Sequence, residues 1–270
     1  MMAGQFMTRL GDVAGFTGRR ANRIALYVIE LTVFTSYALR DWWRRGHLRN
    51  RATRRALVGQ VLFIGIDALA VIFMLALAIG VSLTPTLLML GRNFGSDAQL
   101  ADLLVRAIGV ELGPLLTAII LIGRSGSAMA VDLGNMKQRG EVEALHLLGI
   151  NMNDFFVAPR LLGAALAQFV LATYFTAIAL FGGVFISGLV ISSAHLTLMS
   201  GLVAAITPLD ILVFTFKNLL FGLVIAGTAC FSALKVQHSP TEIPQRTQQA
   251  IVNGQLIVFI INGALAVALL

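Results

Sequence analysis

The chain has 270 residues, 57% of them hydrophobic and only 12% charged, with a mean hydropathy of +0.85. A water-soluble core of that length has no place for so much apolar surface, so composition excludes a soluble globule and indicates an integral membrane protein. The net charge of +7 and a pI near 10.5 do not indicate nucleic acid, because eleven of the twenty Lys and Arg residues precede Leu57, a placement that suits anionic headgroups and the positive-inside rule.

The opening MMAGQFMTRLGDVAGFTGRR is too polar for the apolar region of a signal peptide, so the first span is expected to act as its own insertion signal. Residues 25–39 are apolar over only fifteen positions and carry Glu30, short for a span of about 20 residues, which predicts an interfacial or re-entrant helix. The following RDWWRRGHLRNRATRR sets Trp42 and Trp43 among arginines and reads either as a headgroup-level belt or as a solvated basic linker.

Apolar runs then predict spans over 68–90, over 107–122 leading into GRSGSA, over about 155–191, over 202–234 and over 250–270. The third run is longer than a straight span requires, and a tilt, a kink near Gly182 and Gly183, or an interfacial start would absorb the excess. The fourth is interrupted early by Pro208 and Asp210 and carries Lys217, and the polar stretch KVQHSPTEIPQRTQQ separates it from the fifth. With the N-terminus inside, 17 basic residues are cytoplasmic and two, Arg92 and Arg106, lie outside, which predicts an N-in, C-out topology. The single cysteine, Cys230, lies in an apolar run. It rules out a disulfide framework and reads as a small buried hydrophobe.

Enzyme signatures are missing from the sequence: there is no phosphate-binding G-x-x-x-x-G-K-[ST], no H-E-x-x-H and no G-x-S-x-G, and the four histidines fall in separate segments. No catalytic residue and no metal site is therefore assigned, and any ATP hydrolysis belongs to another chain. Ionisable residues inside spans are informative instead, since each costs about 2.5 to 3.5 kcal/mol at the helix centre unless it faces a cavity or a partner. Glu111 and Lys217 qualify best. By the topology above they sit at similar depth and are expected to pair, either lining a substrate cavity or as a structural pair, whereas Asp67 and Asp210 read as interfacial.

Gly109 and Gly113 form a GxxxG, Gly222 and Ala226 a GxxxA, and Gly123 to Ala128 carry almost no bulk except Arg124; such surfaces let helices approach closely. Pro114 loosens the backbone beside Glu111, which suits a moving site or an ordinary kink. Between Gly134 and Gly149, Lys137 with Glu141 and Arg139 with Glu143 have i,i+4 spacing, and Val142, Leu145 and Leu148 share another face. This predicts a short amphipathic helix at the cytoplasmic surface, bound to a partner or lying on the membrane, with Gly140 costing about 1 kcal/mol in its middle.

ELGPLLTAIILIGRSGSAMAVDLGNMK, followed by EALHLLGI and by Pro159-Arg160, resembles the MlaE-type permeases, the membrane subunits of lipid-transporting ABC systems linked to MCE-domain proteins. The likeness runs from QVLFIGIDAL near Gln60 through FKNLLFG around Lys217 to EIPQRTQQAIV and the last span. It implies an all-α polytopic protein of five spans plus an N-terminal interfacial helix, with a basic region over 1–56 and a permease domain over 57–270. It further implies a homodimer with a cytoplasmic ABC ATPase dimer, which binds ATP and Mg, a periplasmic MCE-protein hexamer and a small STAS-domain protein. No cofactor is expected in this chain. The location implied is the bacterial inner membrane, the cargo glycerophospholipid moved between inner and outer membranes, and the purpose outer-membrane lipid asymmetry.

By the same resemblance Glu111, Lys217, Leu112, Pro114 and Asn262 line a lipid cavity at the dimer centre. Residues 134–149 form the coupling helix, with Met136, Lys137, Arg139, Glu141, Glu143 and Leu145 toward the ATPase, and Gly113, Gly123, Arg124, Gly126 and Ser127 form a close-packed hinge. The chain departs from the family at Val110, where an Arg is usual, at Arg139-Gly140-Glu141 in place of T-E-Q, at His146 in place of a Glu, and at Asn151-Met152 in place of Asp-Pro. The rival readings are an ion-coupled secondary carrier using Glu111 or Asp67, a permease of the same family for another lipid such as a sterol, and a scaffold that only anchors a periplasmic ring.

Overall fold

Hydrocarbon offers no hydrogen-bond partners, so a chain this apolar must satisfy its backbone within itself, which selects helices. The computed structural model describes residues 26–44, 51–91, 97–149, 152–190, 195–237 and 239–268, and every regular element among them is helical. We label the helices α1 (26–44), α2 (Arg51–Gly91), α3 (from Asp97 to Gln138), α4 (Glu141–Leu147), α5 (from Asn153 to Val190), α6 (His195–Ala205), α7 (Pro208–Leu234) and α8 (Glu242–Ala268). Among the described residues, five segments are long and apolar enough to cross a membrane: Leu57–Leu87, Ala101–Gln138, Phe155–Ile186, Pro208–Leu234 and Glu242–Ala268. The N-terminal polar segment, Arg45, Arg49 and Arg92 lie outside the described residues.

Several expected boundaries shift. The first span begins well before Ala68, so Asp67 is inside it rather than at its end. The fourth apolar run is two helices, α6 and α7, broken at Ile206-Thr207. Thr207 caps α7 in a reciprocal box with Asp210 and Pro208 occupies its first turn, a combination that starts a helix and cannot continue one. The polar stretch after α7 is loop only as far as Thr241, because Glu242 to Gln249 already form the first turns of α8. The surplus length of α5 goes into π-helical turns at Asn153–Val157 and Ile178–Gly182, the latter at the glycine pair.

Short α1 docks on α7: Tyr27 and Phe34 pack on Phe231, Glu30 pairs with Lys235 at 3.1 Å, and Leu31 and Thr35 lie against Gly227. Of the two adjacent tryptophans, Trp42 is buried and Trp43 exposed. Spans α5 and α7 cross closely, and a Cβ on Gly222 would lie 2.4 Å from Ala165 Cα. Small residues there let two spans touch backbone to backbone, as packing in lipid favours. This crossing sets the position of Lys217, five residues before Gly222 on α7.

Candidate functional site

Three spans bring Glu111, Lys217 and Asn262 together. Lys217 Nζ donates to Glu111 Oε2 at 2.9 Å, and Asn262 Nδ2 donates to the same oxygen at 3.0 Å. A second Lys217 Nζ bond, 3.0 Å long, goes to the Val110 carbonyl. Pro114, four residues on, has no N–H to give that carbonyl its α-helical partner, so the ammonium fills a gap that proline opens. The backbone is π-helical over Val105–Leu112, with the Gly113 N–H bonded to the Ile108 carbonyl, which turns Glu111 and Val110 together toward α7.

The pair is asymmetric: the Lys217 side chain is 1% exposed and that of Glu111 35%. A lysine so enclosed is tolerable only because a carboxylate and a carbonyl meet it. The carboxylate is the member that still faces outward. Beneath it Gln168 Nε2 donates to the Pro114 carbonyl at 3.0 Å and to Asn218 Oδ1 at 3.1 Å. Pro114 is thus buried under the pair and Leu112 is half-buried beside it. Among the described residues, no donor reaches two buried acceptors, Gln168 Oε1 and Asn262 Oδ1.

Sequence reading missed Gln168 and Asn218. Their signal was available, since each is an amide side chain in an otherwise apolar span. Also missed was the ion pair between Arg160 and Asp132, which ties α5 to α3 near its far end.

At that far end the predicted single helix over 134–149 is not formed. Helix α3 ends at Gln138, Gly140 adopts φ +76 in the left-handed region that glycine enters without strain, and α4 starts again at Glu141. The break changes the register of charge, so Lys137 pairs with Glu143 and Arg139 with Glu141 at 3.8 Å, not the i,i+4 partners. Met136 packs on the core, Leu145 is half-buried, and Leu147 and Leu148 are exposed. The turn borders an open groove of about 860 Å³ shared with the α7–α8 loop and Arg246.

The small-residue run is helical throughout, with π geometry over Ile122–Gly126. Ser127 Oγ bonds the carbonyls of Gly123 and Arg124, Gly126 packs on Ile225, a Cβ on Gly123 would meet nothing within 4 Å, and Gly113 packs against Thr176. Arg124 reaches Asp67 of α2 at 3.7 Å, both exposed.

Five apolar helices, a charged cluster shared by three of them and a polar turn at one end define a multi-pass helical membrane protein. The chain belongs to the MlaE permease family: residues 57–268 match the family described as Permease MlaE. Among curated relatives, a probable ABC transporter permease protein of Synechocystis is 30% identical over 223 residues, covering 80% of this chain and 82% of that one. The intermembrane phospholipid transport system permease protein MlaE of Haemophilus influenzae is 27% identical, covering 75% and 78%. The chloroplastic protein TRIGALACTOSYLDIACYLGLYCEROL 1 of Arabidopsis thaliana is 24% identical, covering 81% of this chain and 63% of its own length.

Proposed function

We propose that this chain is the membrane subunit of an ABC-type transporter that moves glycerophospholipid between two membranes, with no catalysis of its own. The observation that carries the reading is the Glu111, Lys217 and Asn262 cluster: a buried ammonium and an outward-facing carboxylate within the spans of a chain whose relatives include a phospholipid transport permease. Glu111 would meet the ammonium or hydroxyl end of a headgroup, and the donor-free acceptors of Gln168 and Asn262 supply further sites for its hydrogens. Two copies would enclose the cluster in a shared lipid cavity, and the apolar faces of the spans would take the acyl chains.

The ATPase that binds ATP and Mg would dock on the broken turn over 134–149 and the groove beside it, where Arg139, Glu141 and the bare Leu147 and Leu148 are presented. A push there travels along α3, one continuous helical path from Gln138 back to Glu111. In this reading the N-terminus is cytoplasmic, the C-terminus periplasmic, and an MCE-protein hexamer with a STAS-domain protein completes the assembly in the bacterial inner membrane.

Affinity purification of the full chain from its own cells, followed by ATP-dependent transfer of labelled phospholipid between vesicles, tests this. An ATPase subunit should co-purify, and Glu111→Gln should assemble normally yet lose at least tenfold in transfer. Transfer that continues without ATP and collapses with the proton gradient would establish an ion-coupled carrier instead.

A further inference from the structure

The Glu111 carboxylate has two oxygens, and the cluster uses one of them. Among the described residues, the hydrogen bonds that reach it, from Lys217 Nζ at 2.9 Å and from Asn262 Nδ2 at 3.0 Å, both end on Oε2. The Lys217 side chain is 1% exposed, beyond the reach of a ligand, while that of Glu111 is 35% exposed. Anything arriving from outside therefore meets the free Oε1 of an anion, with the balancing cation enclosed behind it.

Two further features leave that oxygen able to take a second cation. Lys217 Nζ also holds the Val110 carbonyl at 3.0 Å, so the ammonium keeps a partner when Glu111 shares its charge. An ionised oxygen within a span is weakly screened and attracts a donor more strongly than it would in water. By helix rise the three residues lie roughly 9 to 15 Å from the ends of Ala101–Gln138, Pro208–Leu234 and Glu242–Ala268 that meet on their side of the bundle. A headgroup can enter from that side while its tails stay in hydrocarbon.

We propose that Glu111 selects phospholipids whose headgroup ammonium carries at least one N–H, phosphatidylethanolamine being the type, over those with a quaternary ammonium or with no cation. This rests on the reading of Glu111 as the headgroup contact and goes beyond it by naming the headgroup. An ammonium N–H gives Oε1 a charge-assisted hydrogen bond, the strong kind. A choline nitrogen has the same charge but no hydrogen, and its methyl groups hold it away from the oxygen. A glycerol headgroup donates through neutral hydroxyls and brings a phosphate charge toward a carboxylate whose own cation is enclosed.

The same geometry gives one substitution a distinctive outcome. Lys217 Nζ and Asn262 Nδ2 both require an acceptor on the inner side, so in Glu111→Gln the amide turns its oxygen inward and its NH2 outward. The outward atom changes from acceptor to donor with almost no change of shape, which removes the preference for an N–H headgroup.

The test uses the purified full chain in detergent, without ATP or a partner subunit, and native mass spectrometry to count bound lipid. The probes are phosphatidylethanolamine, its N-methyl and N,N-dimethyl forms, phosphatidylcholine and phosphatidylglycerol, with identical acyl chains and offered as an equimolar mixture. The first three keep an N–H and should bind within about twofold of one another, and phosphatidylcholine about tenfold more weakly, the effect of one hydrogen bond to a charged group. Phosphatidylglycerol should bind no better than phosphatidylcholine. In Glu111→Gln, with the melting temperature kept, all five should agree within about twofold.

A steady decline with each methyl, without a step at the last, would overturn the proposal in favour of headgroup size. Phosphatidylglycerol bound as well as phosphatidylethanolamine would overturn the selection for a cation, and discrimination unchanged in Glu111→Gln would overturn its assignment to this residue. Equal binding of all five by the parent, lowered for all in Glu111→Gln, would overturn the ammonium selection and leave Glu111 as the lipid contact. Discrimination that holds in a chain without ATP-dependent transfer would uphold the selection and remove the transport reading alone. The parent series needs no variant, so it decides the matter even where Glu111→Gln fails to fold.

Discussion

The ion pair within the spans and the ion pairs of the turn beyond Gln138 are built from the same residue types and behave oppositely. Lys217 is enclosed, has three helices around it and meets Glu111 as the pattern of charge in apolar runs anticipates. Lys137 and Arg139, near solvent, exchange the partners that helical spacing assigns them. Inside a bilayer an unmatched charge is so unfavourable that few arrangements survive, whereas at a polar surface each alternative partner differs by a few tenths of a kcal/mol. Burial makes electrostatics legible, and exposure makes it depend on backbone detail.

The largest effect expected is at the enclosed pair. Among the described residues, Lys217→Ala leaves Glu111 with Asn262 alone and takes from the Val110 carbonyl its ammonium donor. It should lower stability by about 3 kcal/mol, at the low end for a broken buried pair because Glu111 is partly exposed. The double variant Lys217→Met with Glu111→Leu should recover most of the loss. Unfolding of the purified chain in detergent measures both, and equal stability of the single and double variants would show that charge pairing is not what holds these three spans.

A middle effect is expected where the turn is set. Gly140→Ala places a Cβ on a residue at φ +76, which costs about 1 to 2 kcal/mol if the turn is kept. If the chain instead continues as one helix, the charge partners should revert. A double-mutant cycle would then find Lys137 coupled to Glu141 in the alanine variant and to Glu143 in the parent. Coupling to Glu141 in both would mean that the left-handed glycine does not choose the partners.

The smallest effect belongs to the turn pair itself. Lys137→Ala should change stability by less than about 0.5 kcal/mol, since Glu143 is half exposed, and the same unfolding assay should barely register it. A loss as large as that of Lys217→Ala would erase the contrast between the two regions.

Much of the molecule was legible from its residues. Length of apolar run against bilayer thickness gave the helices that cross, and the rarity of charge inside those runs singled out Glu111 and Lys217. The start of α7 was readable in Thr207, Pro208 and Asp210 but was passed over in favour of apolar continuity. The start of α8 was harder, because Glu242 to Gln249 are polar residues in a helix that leads into a span. Gly140 was recognised as unfavourable in a helix, but propensity alone does not say whether the helix tolerates it or stops.

Sequence by itself determined that this is a helical membrane protein with paired charge in its interior, because hydrocarbon permits few other solutions for such composition. Tertiary structure alone decided two things: the support of Lys217 by the carbonyl that Pro114 frees, and the Gln168 and Asn218 bonds beneath it. Each depends on how helices distant in sequence are rotated and how closely they approach. Contacts such as Gly222 against Ala165 set that rotation and approach, and no single helix's periodicity contains them.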